Sequence, residues 1–279
     1  MVTPAAPAER ELCLLLSGGG AVVLSGAGVS TNSGIPDYRD ENGDWKRARP
    51  VEYRDFMSSE QTRRRYWARS MVGWPHIERA LPNRAHQSIS ELEARQLVTL
   101  TVTQNVDGLH QRAGSRSVVD LHGRLDSVVC MSCKKDSARA ELQARLLHEN
   151  PSFAERSAST APDGDADLSN GDTSQFRVVA CENCGGILKP DVVFFGETVP
   201  KARVEHAYAA IEAARMLLVL GTSLMVFSGY RFARAAAKRG VPIAIVNRGK
   251  TRADDTARLK IEHDVADVLE RVVAQLTLG

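Results

Sequence analysis

Four cysteines occur as two CxxC pairs, the spacing typical of zinc knuckles. The first pair is Cys130 and Cys133, and the second is Cys181 and Cys184. Each pair can direct two thiolates at one ion, and two pairs complete a tetrahedral Zn²⁺ site that leaves no position for water. The long segment between the pairs is no obstacle, because loop closure costs about 0.6 kcal/mol for each doubling of loop length. The pattern predicts one structural zinc ion in a reducing compartment instead of disulfides.

A glycine-rich turn follows the first apolar run of the chain. The segment GAGVS, residues 26–30, could hold a phosphate with its backbone N–H groups, as dinucleotide sites do. It lacks the full dinucleotide fingerprint, because Thr31 occupies the third glycine position and a polar loop follows in place of a helix. An ordinary hydride-transferring enzyme is therefore disfavoured. A tight turn without a ligand is the alternative interpretation of this segment.

Two further polar groups are placed to act on a ligand. The segment QNVD, residues 104–107, follows a predicted buried strand, so its side chains emerge at the ligand-binding edge of a parallel sheet. Capping of the next helix by Asn105 or Asp107 is the alternative. His122 lies between a short apolar run and the first cysteine pair, and its ordinary pKa near 6.5 suits a general base. The alternative for His122 is a surface or core position without chemistry.

Short, fully apolar runs precede these polar segments and alternate with helical stretches. Runs of this kind predict strands of a parallel sheet that is covered on both faces. We predict strands at Ala21–Leu24, Leu97–Val102, Met216–Leu220 and Ile243–Val246, and helices at Glu9–Leu16, Arg84–Arg95, Ala207–Ala214, Tyr230–Arg239 and Val265–Leu276. The expected fold class is α/β, a Rossmann-like parallel sheet with helices on both faces plus a small zinc-binding module.

The segment that bears the paired cysteines interrupts this alternation. We predict a four-cysteine zinc-binding module at residues 126–184, inserted between two stretches of a Rossmann-like domain, 1–125 and 185–279. Within the module, the segment at about 155–175 is rich in Ser, Asp, Ala and Gly. Because it has few apolar residues to offset the entropy of ordering, we expect part of it to be mobile unless it packs on the larger domain.

Composition and charge exclude several classes of protein. The chain has 279 residues, of which 43% are hydrophobic, and a net charge of +2 from 36 basic and 34 acidic side chains. This balance gives no strong phosphate-binding field, so we expect no direct nucleic-acid binding. No apolar run approaches the roughly 20 residues that cross a bilayer, and the first residues do not resemble a signal or transit peptide. A globular, cytoplasmic protein without a membrane anchor is expected.

Taken together, the motifs resemble those of the sirtuin family. GAGVSTNSGIPDYRD, TQNVDGLH, LHG, the paired cysteines, LKPDVVFFGE, GTSL and VNRG occur in the family's order. The resemblance extends from Gly26 to Gly249, nearly the whole catalytic core of the family. RRRYWARS, GWP, APDGD, DVVFFGE and SGYRF, together with the long insert, resemble the class II branch. The absence of a transit peptide favours a bacterial origin.

The resemblance implies an NAD-dependent protein-lysine deacylase, with NAD as co-substrate, one structural zinc ion and acylated-lysine proteins as substrates. It assigns catalysis to His122, Asn105 and Asp107, and contact with an extended substrate to Val192, Val193 and Phe194. Because many relatives have a cysteine at position 265, only a backbone contact is expected from Val265. The residues that the resemblance places around NAD are Gly26, Ala27, Gly28, Ser30, Asp37, Tyr38, Arg39, Gln104, Asn105, Val106, Asp107, Gly221, Thr222, Ser223, Asn247, Arg248, Gly249 and Val265.

The implied reaction begins when the acyl oxygen attacks the ribose as nicotinamide leaves. His122 then removes a proton from the ribose hydroxyl relay, and water releases lysine and O-acyl-ADP-ribose. Protein mono-ADP-ribosyl transfer and lipoamide hydrolysis are the alternative activities of such a pocket, and an NAD-binding module without catalysis is a third. His122 favours deacylation, because simple ribosyl transfer does not require deprotonation of the ribose.

Tyr66 and Arg69 suggest a preference among acyl groups. They have Tyr-x-x-Arg spacing in a predicted helix at Gln61–Met71, and residues three apart share a helix face. The desuccinylase branch of the family has such a pair, and a guanidinium suits a bidentate carboxylate contact. We therefore predict that Arg69→Met loses activity on succinyl- or glutaryl-lysine but not on acetyl-lysine. A solvated arginine-rich face with a packing role for Tyr66 is the alternative.

Overall fold

The computed structural model describes residues 6–46, 50–153, 159–160, 166–167 and 173–278. Most of the predicted polar insert at 155–175, and its expected mobility, lies outside the described residues. The strands are β1 (Ala21–Ser25), β2 (Val98–Thr103), β3 (Val118–Asp120), β4 (Gly123–Cys130), β5 (Asp136–Ala138), β6 (Ser159–Thr160), β7 (Ala166–Asp167), β8 (Leu188–Val192), β9 (Met216–Leu220), β10 (Ile243–Val246) and β11 (Leu259–Ile261). The helices are α1 (Pro7–Ser17), α2 (Tyr53–Ser58), α3 (Glu60–Arg79), α4 (Arg84–Ala94), α5 (Leu109–Arg112), α6 (Arg139–Glu149), α7 (Lys201–Ala213), α8 (Phe227–Lys238) and α9 (Val265–Leu278).

A parallel sheet of six strands forms the centre of the larger part of the chain. Its strand order is β11-β10-β9-β1-β2-β3, and every neighbouring pair is parallel. The central strands β1, β9 and β10 are buried at every residue, which explains their uninterrupted apolar sequences. All six strands end at the same edge, so the polar segments that follow them meet there.

Helices cover both faces of this sheet, as predicted. Alternate residues of β1 point to opposite faces: Val23 packs in one cluster with α1, α4 and α9, and Val22 packs in another with α7 and α8. The four strands predicted from sequence are confirmed to within about one residue at each end. Two helices begin earlier than predicted, α7 at Lys201 and α8 at Phe227.

The paired cysteines belong to a second, antiparallel sheet. Its strand order is β5-β4-β8, and it shares a hydrophobic cluster with α2, α3 and α6. Because β8 pairs with β4, this sheet includes residues beyond the predicted module boundary at 184. Helix α3 also continues past Met71, through Pro75 to Arg79, and its Trp74 and Ile77 are buried. The local sequence predicts that this helix ends at Met71. Packing against α6 extends it to Arg79.

Candidate functional site

A cavity of about 570 Å³ opens at the carboxyl edge of the parallel sheet. Its wall contains all the predicted cofactor residues except Gly249, together with His122 and the predicted substrate residues Val192, Val193 and Phe194. The tertiary fold thus brings together segments that lie up to about 240 positions apart in the sequence. Lining residues that the sequence analysis did not identify include Trp45, Met225, Phe227, Ser228 and Arg231. Only their position after β9 and in the loop following residue 37 could have suggested them.

Glycines at the floor of the cavity permit two loops to touch. A Cβ atom at Gly26 would lie 2.5 Å from the Cβ of Thr222, and one at Gly28 would lie 2.9 Å from the Cα of Gly221. The Gly28 N–H donates to the Gly221 carbonyl at 2.8 Å. Gly221 itself has a φ of +57°, a conformation that glycine adopts without strain. The resulting backbone surface lacks side chains and fits the close approach of a dinucleotide phosphate.

Two of the residues predicted to surround NAD, Asn247 and Arg248, follow the end of β10. Asn247 donates to the Arg248 carbonyl at 2.6 Å, and the Arg248 guanidinium is 3.2 Å from the Asp264 carboxylate. Gly249 does not line the cavity, since it packs against the backbone of the loop around Glu41, where a Cβ atom would come within 2.3 Å of the carbonyl oxygen. Gly249 therefore supports the loop that covers the cavity, and its predicted contact with the cofactor has no support in this geometry.

Residues 37–46 form the covering loop. Arg39 donates to the Gly43 carbonyl at 2.6 Å, and its guanidinium lies 4.0 Å from the centre of the Trp45 ring. Tyr38 packs edge-on against the same ring. Lys46 and Asp37 form an ion pair at 2.6 Å between partly exposed side chains, which contributes little to stability. The Asp40 carboxylate also accepts the N–H groups of Asn42 and Asp44, so the loop is ordered by its own hydrogen bonds and by packing on Trp45, which lies outside the motif GAGVSTNSGIPDYRD.

A hydrogen-bond network fixes the polar side chains that follow β2. Asn105 donates to the Ser30 hydroxyl at 3.0 Å and to the Gly26 carbonyl at 3.1 Å. Ser30 donates its proton to Asp107 at 2.7 Å. The other Asp107 oxygen accepts the Leu109 N–H at 2.9 Å, so Asp107 also caps α5. Both interpretations of Asp107 from the sequence are therefore compatible, because its two carboxylate oxygens face different partners.

Two histidines below this network were missed by the sequence analysis. His86 and His110 are buried, with ring centroids 5.0 Å apart. The Asn83 N–H donates to His86 Nδ1, so the His86 proton resides on Nε2, which faces the Ser30 hydroxyl at 3.4 Å. Burial lowers the pKa of His86 to about 4, and burial together with the charge of His86 lowers the pKa of His110 to about 3. Both rings are neutral at pH 7.

The buried histidines predict loss of stability in mild acid. Below about pH 6.5 the unfolded chain binds protons that the two folded sites do not. The free energy of unfolding should be highest above pH 7, and these two histidines should lower it by about 2 to 3 kcal/mol per pH unit between pH 6 and pH 4. Buried His122, whose pKa is also about 4, should add about 1 kcal/mol per pH unit. Urea unfolding at a series of pH values measures this. His148→Gln, at an exposed histidine, should leave the pH dependence unchanged, and equal stability at pH 7.5 and pH 5 would contradict the assignment.

His122 has the hydrogen bonds of a neutral base. Its Nδ1 lies 2.9 Å from the Gln104 carbonyl, which can only accept, so the proton is on Nδ1 and Nε2 has the lone pair. The Ser228 hydroxyl donates to Nε2 at 2.8 Å. Burial, opposed by the hydrogen bond to the Gln104 carbonyl and helped by the charges of Arg203 and Arg231, lowers the pKa of His122 to about 4. The imidazole is therefore neutral at pH 7, and its Nε2 electron pair accepts the hydrogen bond of Ser228, which lines the same cavity.

Replacing Ser228 tests this arrangement. Ser228→Ala removes a hydrogen bond that favours neutral His122 and holds its ring, so the pKa of His122 should rise, and turnover should fall about two- to tenfold because the ring is less well positioned. The pH dependence of kcat/KM and an NMR titration of the imidazole measure the two effects. Ser228→Thr keeps the hydroxyl and should restore most of the activity. An unchanged pH profile in Ser228→Ala would show that the contact does not position the base.

The substrate segment continues the edge strand β8. Val193 donates its N–H to the His122 carbonyl at 2.8 Å, while Val192 and Phe194 are buried. Lys189 donates to the Val192 carbonyl at 2.5 Å and pairs with Glu197 at 3.1 Å, and Glu197 accepts the Phe194 N–H. This buried pair holds the segment beside His122. Such an edge can bind an extended peptide by strand addition.

Tyr66 and Arg69 do not reach the cavity among the described residues. Tyr66 is only 4% exposed, and its ring packs on Phe56, Trp67 and Phe194. Because Phe194 stands between Tyr66 and the cavity, the helix face that carries Tyr66 points into the hydrophobic cluster of the second sheet. The geometry favours the packing role for Tyr66, and carboxylate recognition by this pair stays a prediction without structural support.

The four paired cysteines form one cluster. Their sulfur atoms all lie within 4.8 Å of one another, with Cys130 Sγ 3.5 Å from Cys184 Sγ and Cys133 Sγ 3.8 Å from Cys181 Sγ. A tetrahedral centre of one zinc and four thiolates, with bonds of about 2.3 Å, has sulfur separations of about 3.8 Å, so the cluster fits zinc. A Cβ atom at Gly186 would lie 2.9 Å from Cys130 Sγ, which explains the glycine beside the second knuckle. With four protein ligands the ion has no catalytic position.

The sequence that forms most of the cavity wall and both cysteine pairs matches one family. The sequence pattern of the Sir2 family matches residues 26–228. An NAD-dependent protein deacetylase of Xanthomonas campestris pv. campestris is 57% identical over 247 residues, which is 88% of this chain and 84% of that protein. An NAD-dependent protein deacetylase of Bordetella bronchiseptica is 56% identical over 252 residues, 90% of this chain and 92% of that protein.

Solved structures give the same result. A Sir2 protein with a p53 peptide and NAD⁺ has a TM-score of 0.78 at 28% identity, covering 97% of this chain and 99% of that one. A Sir2 protein with a propionylated peptide has a TM-score of 0.76 at 30% identity with the same coverage. The fold and site define an α/β protein with a glycine-lined cavity at the sheet edge and a four-cysteine cluster that fits zinc. The chain belongs to the Sir2 family, the sirtuins.

Proposed function

We propose that the chain is an NAD-dependent protein-lysine deacylase, which releases nicotinamide and O-acyl-ADP-ribose from NAD and acylated lysine. The observation that carries this proposal is neutral His122, with Nε2 at the wall of the cavity that the glycine loops line. The relatives named as deacetylases, and the neighbour solved with peptide and NAD⁺, support it. The proposal names the substrates as a class, namely peptides and proteins that contain an acylated lysine.

The proposed residue roles are those that the family resemblance implies, and the positions of the residues at the cavity support them. Gly26, Gly28 and Gly221 would hold the NAD phosphates, and Asn247 and Arg248 the adenosine half. When bound, NAD supplies the ribose carbon that accepts the acyl oxygen and the nicotinamide that leaves. His122 accepts a ribose proton at Nε2 once Ser228 gives up its hydrogen bond. Asn105 and Asp107, held by Ser30, orient the ribose and the nicotinamide, so reacting groups meet in a near-attack geometry.

Several finer assignments belong to the same proposal. The class II branch and the bacterial origin rest on the motifs and on the long insert, and the bacterial relatives support the origin. A cytoplasmic location is supported by paired thiols that suit a reducing compartment. Among the described residues every helix is too short or too polar to cross a bilayer. The division into a Rossmann-like domain, 1–125 and 185–279, and a zinc module, 126–184, is proposed with the addition that β8 completes the module's sheet.

Turnover assays with mass spectrometry of both products test the proposed function. Acetyl-lysine peptides incubated with NAD should yield equal amounts of deacylated peptide and O-acetyl-ADP-ribose. A panel of longer acyl groups, including lipoyl, then defines the acyl range. If the protein transfers ADP-ribose to an acceptor protein without removing the acyl group, the mono-ADP-ribosyltransferase alternative replaces the proposal.

A further inference from the structure

Among the cations on the cavity wall, Arg231 stands apart. Its Nε atom is shielded from solvent and has no hydrogen-bond partner in the described part of the chain, where no carboxylate pairs with its guanidinium either. A buried donor without a partner is costly, so the site favours an incoming anion. The other cations on the wall are already engaged: Lys46 with Asp37, Arg39 with Gly43 and Trp45, and Arg248 with Asp264.

Arg231 belongs to a surface at the mouth of the cavity. Its guanidinium lies 5.4 Å from the centre of the Phe227 ring, and that of Arg234 lies 5.9 Å from the same ring. Phe227 is 51% exposed, and Arg234 is exposed without a carboxylate partner among the described residues. Phe227, Arg231 and Arg234 are here called the α8 basic face. An exposed aromatic ring between two unpaired guanidinium groups is suited to bind a chain that carries carboxylates.

The α8 basic face is continuous with the proposed substrate segment. Phe227 and Arg231 line the same cavity as Val192, Val193 and Phe194. Alternate side chains of an extended peptide on that segment are about 6.6 Å apart, and residues three apart on a helix are about 5 to 6 Å apart. Two acidic side chains at alternate positions of the substrate can therefore reach Arg231 and Arg234 together.

We propose that the α8 basic face binds carboxylate side chains of the substrate polypeptide close to the acylated lysine, so that the enzyme prefers acylated lysines in acidic sequences. The inference rests on the proposed deacylase function. The exposure of Phe227 and Arg234, of which only Phe227 lines the cavity, favours a carboxylate of the peptide over one at the end of the acyl group, because the acyl group must reach into the cavity toward His122. Binding at this face acts on substrate affinity, so the preference should appear in KM.

A peptide panel tests this directly. Acetyl-lysine peptides with Asp at single and alternate positions from −4 to +4, matched peptides with Asn, and a succinyl-lysine peptide without acidic side chains are assayed at 50 mM and 500 mM NaCl. The Asp peptides with the best register should have kcat/KM values about five- to tenfold above their Asn partners at low salt. The ratio should shrink at high salt because the ions screen the interaction.

Variants assign the preference to the face. Arg231→Met and Arg234→Met should each reduce the ratio of kcat/KM for Asp peptides to that for Asn peptides, here the Asp/Asn ratio. Arg231→Lys should keep part of this ratio. Arg231→Glu should reverse the preference, toward peptides with Lys at the same positions. Lys238→Met removes one charge from the exposed last turn of the same helix and should leave both the ratio and the activity unchanged. Thermal unfolding of each variant identifies a misfolded one, and Arg234→Met, at an exposed position, serves if Arg231→Met does not fold.

The outcomes are separable from those for the proposed function. Deacetylation of neutral peptides with an Asp/Asn ratio of one would retain the deacylase and overturn the inference. A preference that appears only for the succinyl group, or a ratio that Lys238→Met lowers as much as Arg231→Met does, would also overturn it. Absence of any deacylation by folded, zinc-loaded protein would instead reject the proposed function.

Discussion

Replacement of His122 by Ala is expected to lower deacylation by about 10² to 10⁴, the usual loss when a general base is removed. The variant loses Nε2 and the hydrogen bonds to the Gln104 carbonyl and the Ser228 hydroxyl, but His122 belongs to none of the hydrophobic clusters of the described residues. The expected outcome is a fall in kcat with much of the NAD binding retained. Steady-state kinetics and calorimetric titration with NAD measure the two quantities, and His122→Tyr should behave in the same way.

The control for this experiment is His148→Ala, at a surface histidine, which should have normal turnover. Release of nicotinamide in the absence of deacylation is a second readout, since the first step does not use the base. A His122 variant that deacylates at a rate near that of the unchanged protein would refute the assignment. A variant that no longer binds NAD and no longer unfolds cooperatively would show that His122 acts structurally.

The zinc site should have the largest effect on stability. Replacing both Cys181 and Cys184 by Ser removes half of a four-thiolate cluster, and structural zinc in small sites contributes about 10 to 16 kcal/mol of apparent binding free energy. We expect zinc to be lost and the β5-β4-β8 sheet to unfold, because Cys130 ends β4 and the second knuckle leads into β8. One zinc ion per chain before the substitution and none after it, measured by elemental analysis, is the expected result.

Cys13 provides a matched control for the same chemical change. It is a buried thiol that lies in α1 and packs against α9, far in sequence from the four paired cysteines. Cys13→Ser should therefore leave the zinc content at one ion per chain. Proteolysis of the double cysteine variant should begin between residues 126 and 192 while the parallel sheet stays protected. Unchanged zinc content in the double variant would disprove the cluster as the site.

The sequence determined the class of fold, because buried parallel strands must be apolar at every residue and therefore identify themselves locally. β1, β9 and β10 were predicted in this way, and the polar segments after β1, β2 and β9 were correctly expected at one edge. The zinc ligands were predictable for the same local reason, since a CxxC pair supplies two ligands within four residues. Chemistry carried by short contiguous motifs was thus accessible without the structure.

The tertiary structure decided which side chains meet across the chain. Ser228 and Arg231 approach the cavity because Gly229 lets α8 come close to Gln104, where a Cβ atom would lie 2.4 Å from the amide oxygen; no local pattern indicates that distance. Tyr66 was assigned to a pocket by its spacing, but the packing of α3 turns its face toward Phe56 and Phe194. Helical spacing gives the residues that share a face, and only packing determines what that face contacts. For the same reason the buried pair His86 and His110, 24 positions apart in the sequence, became visible as neighbours of Ser30 and Asp107 only in the folded chain.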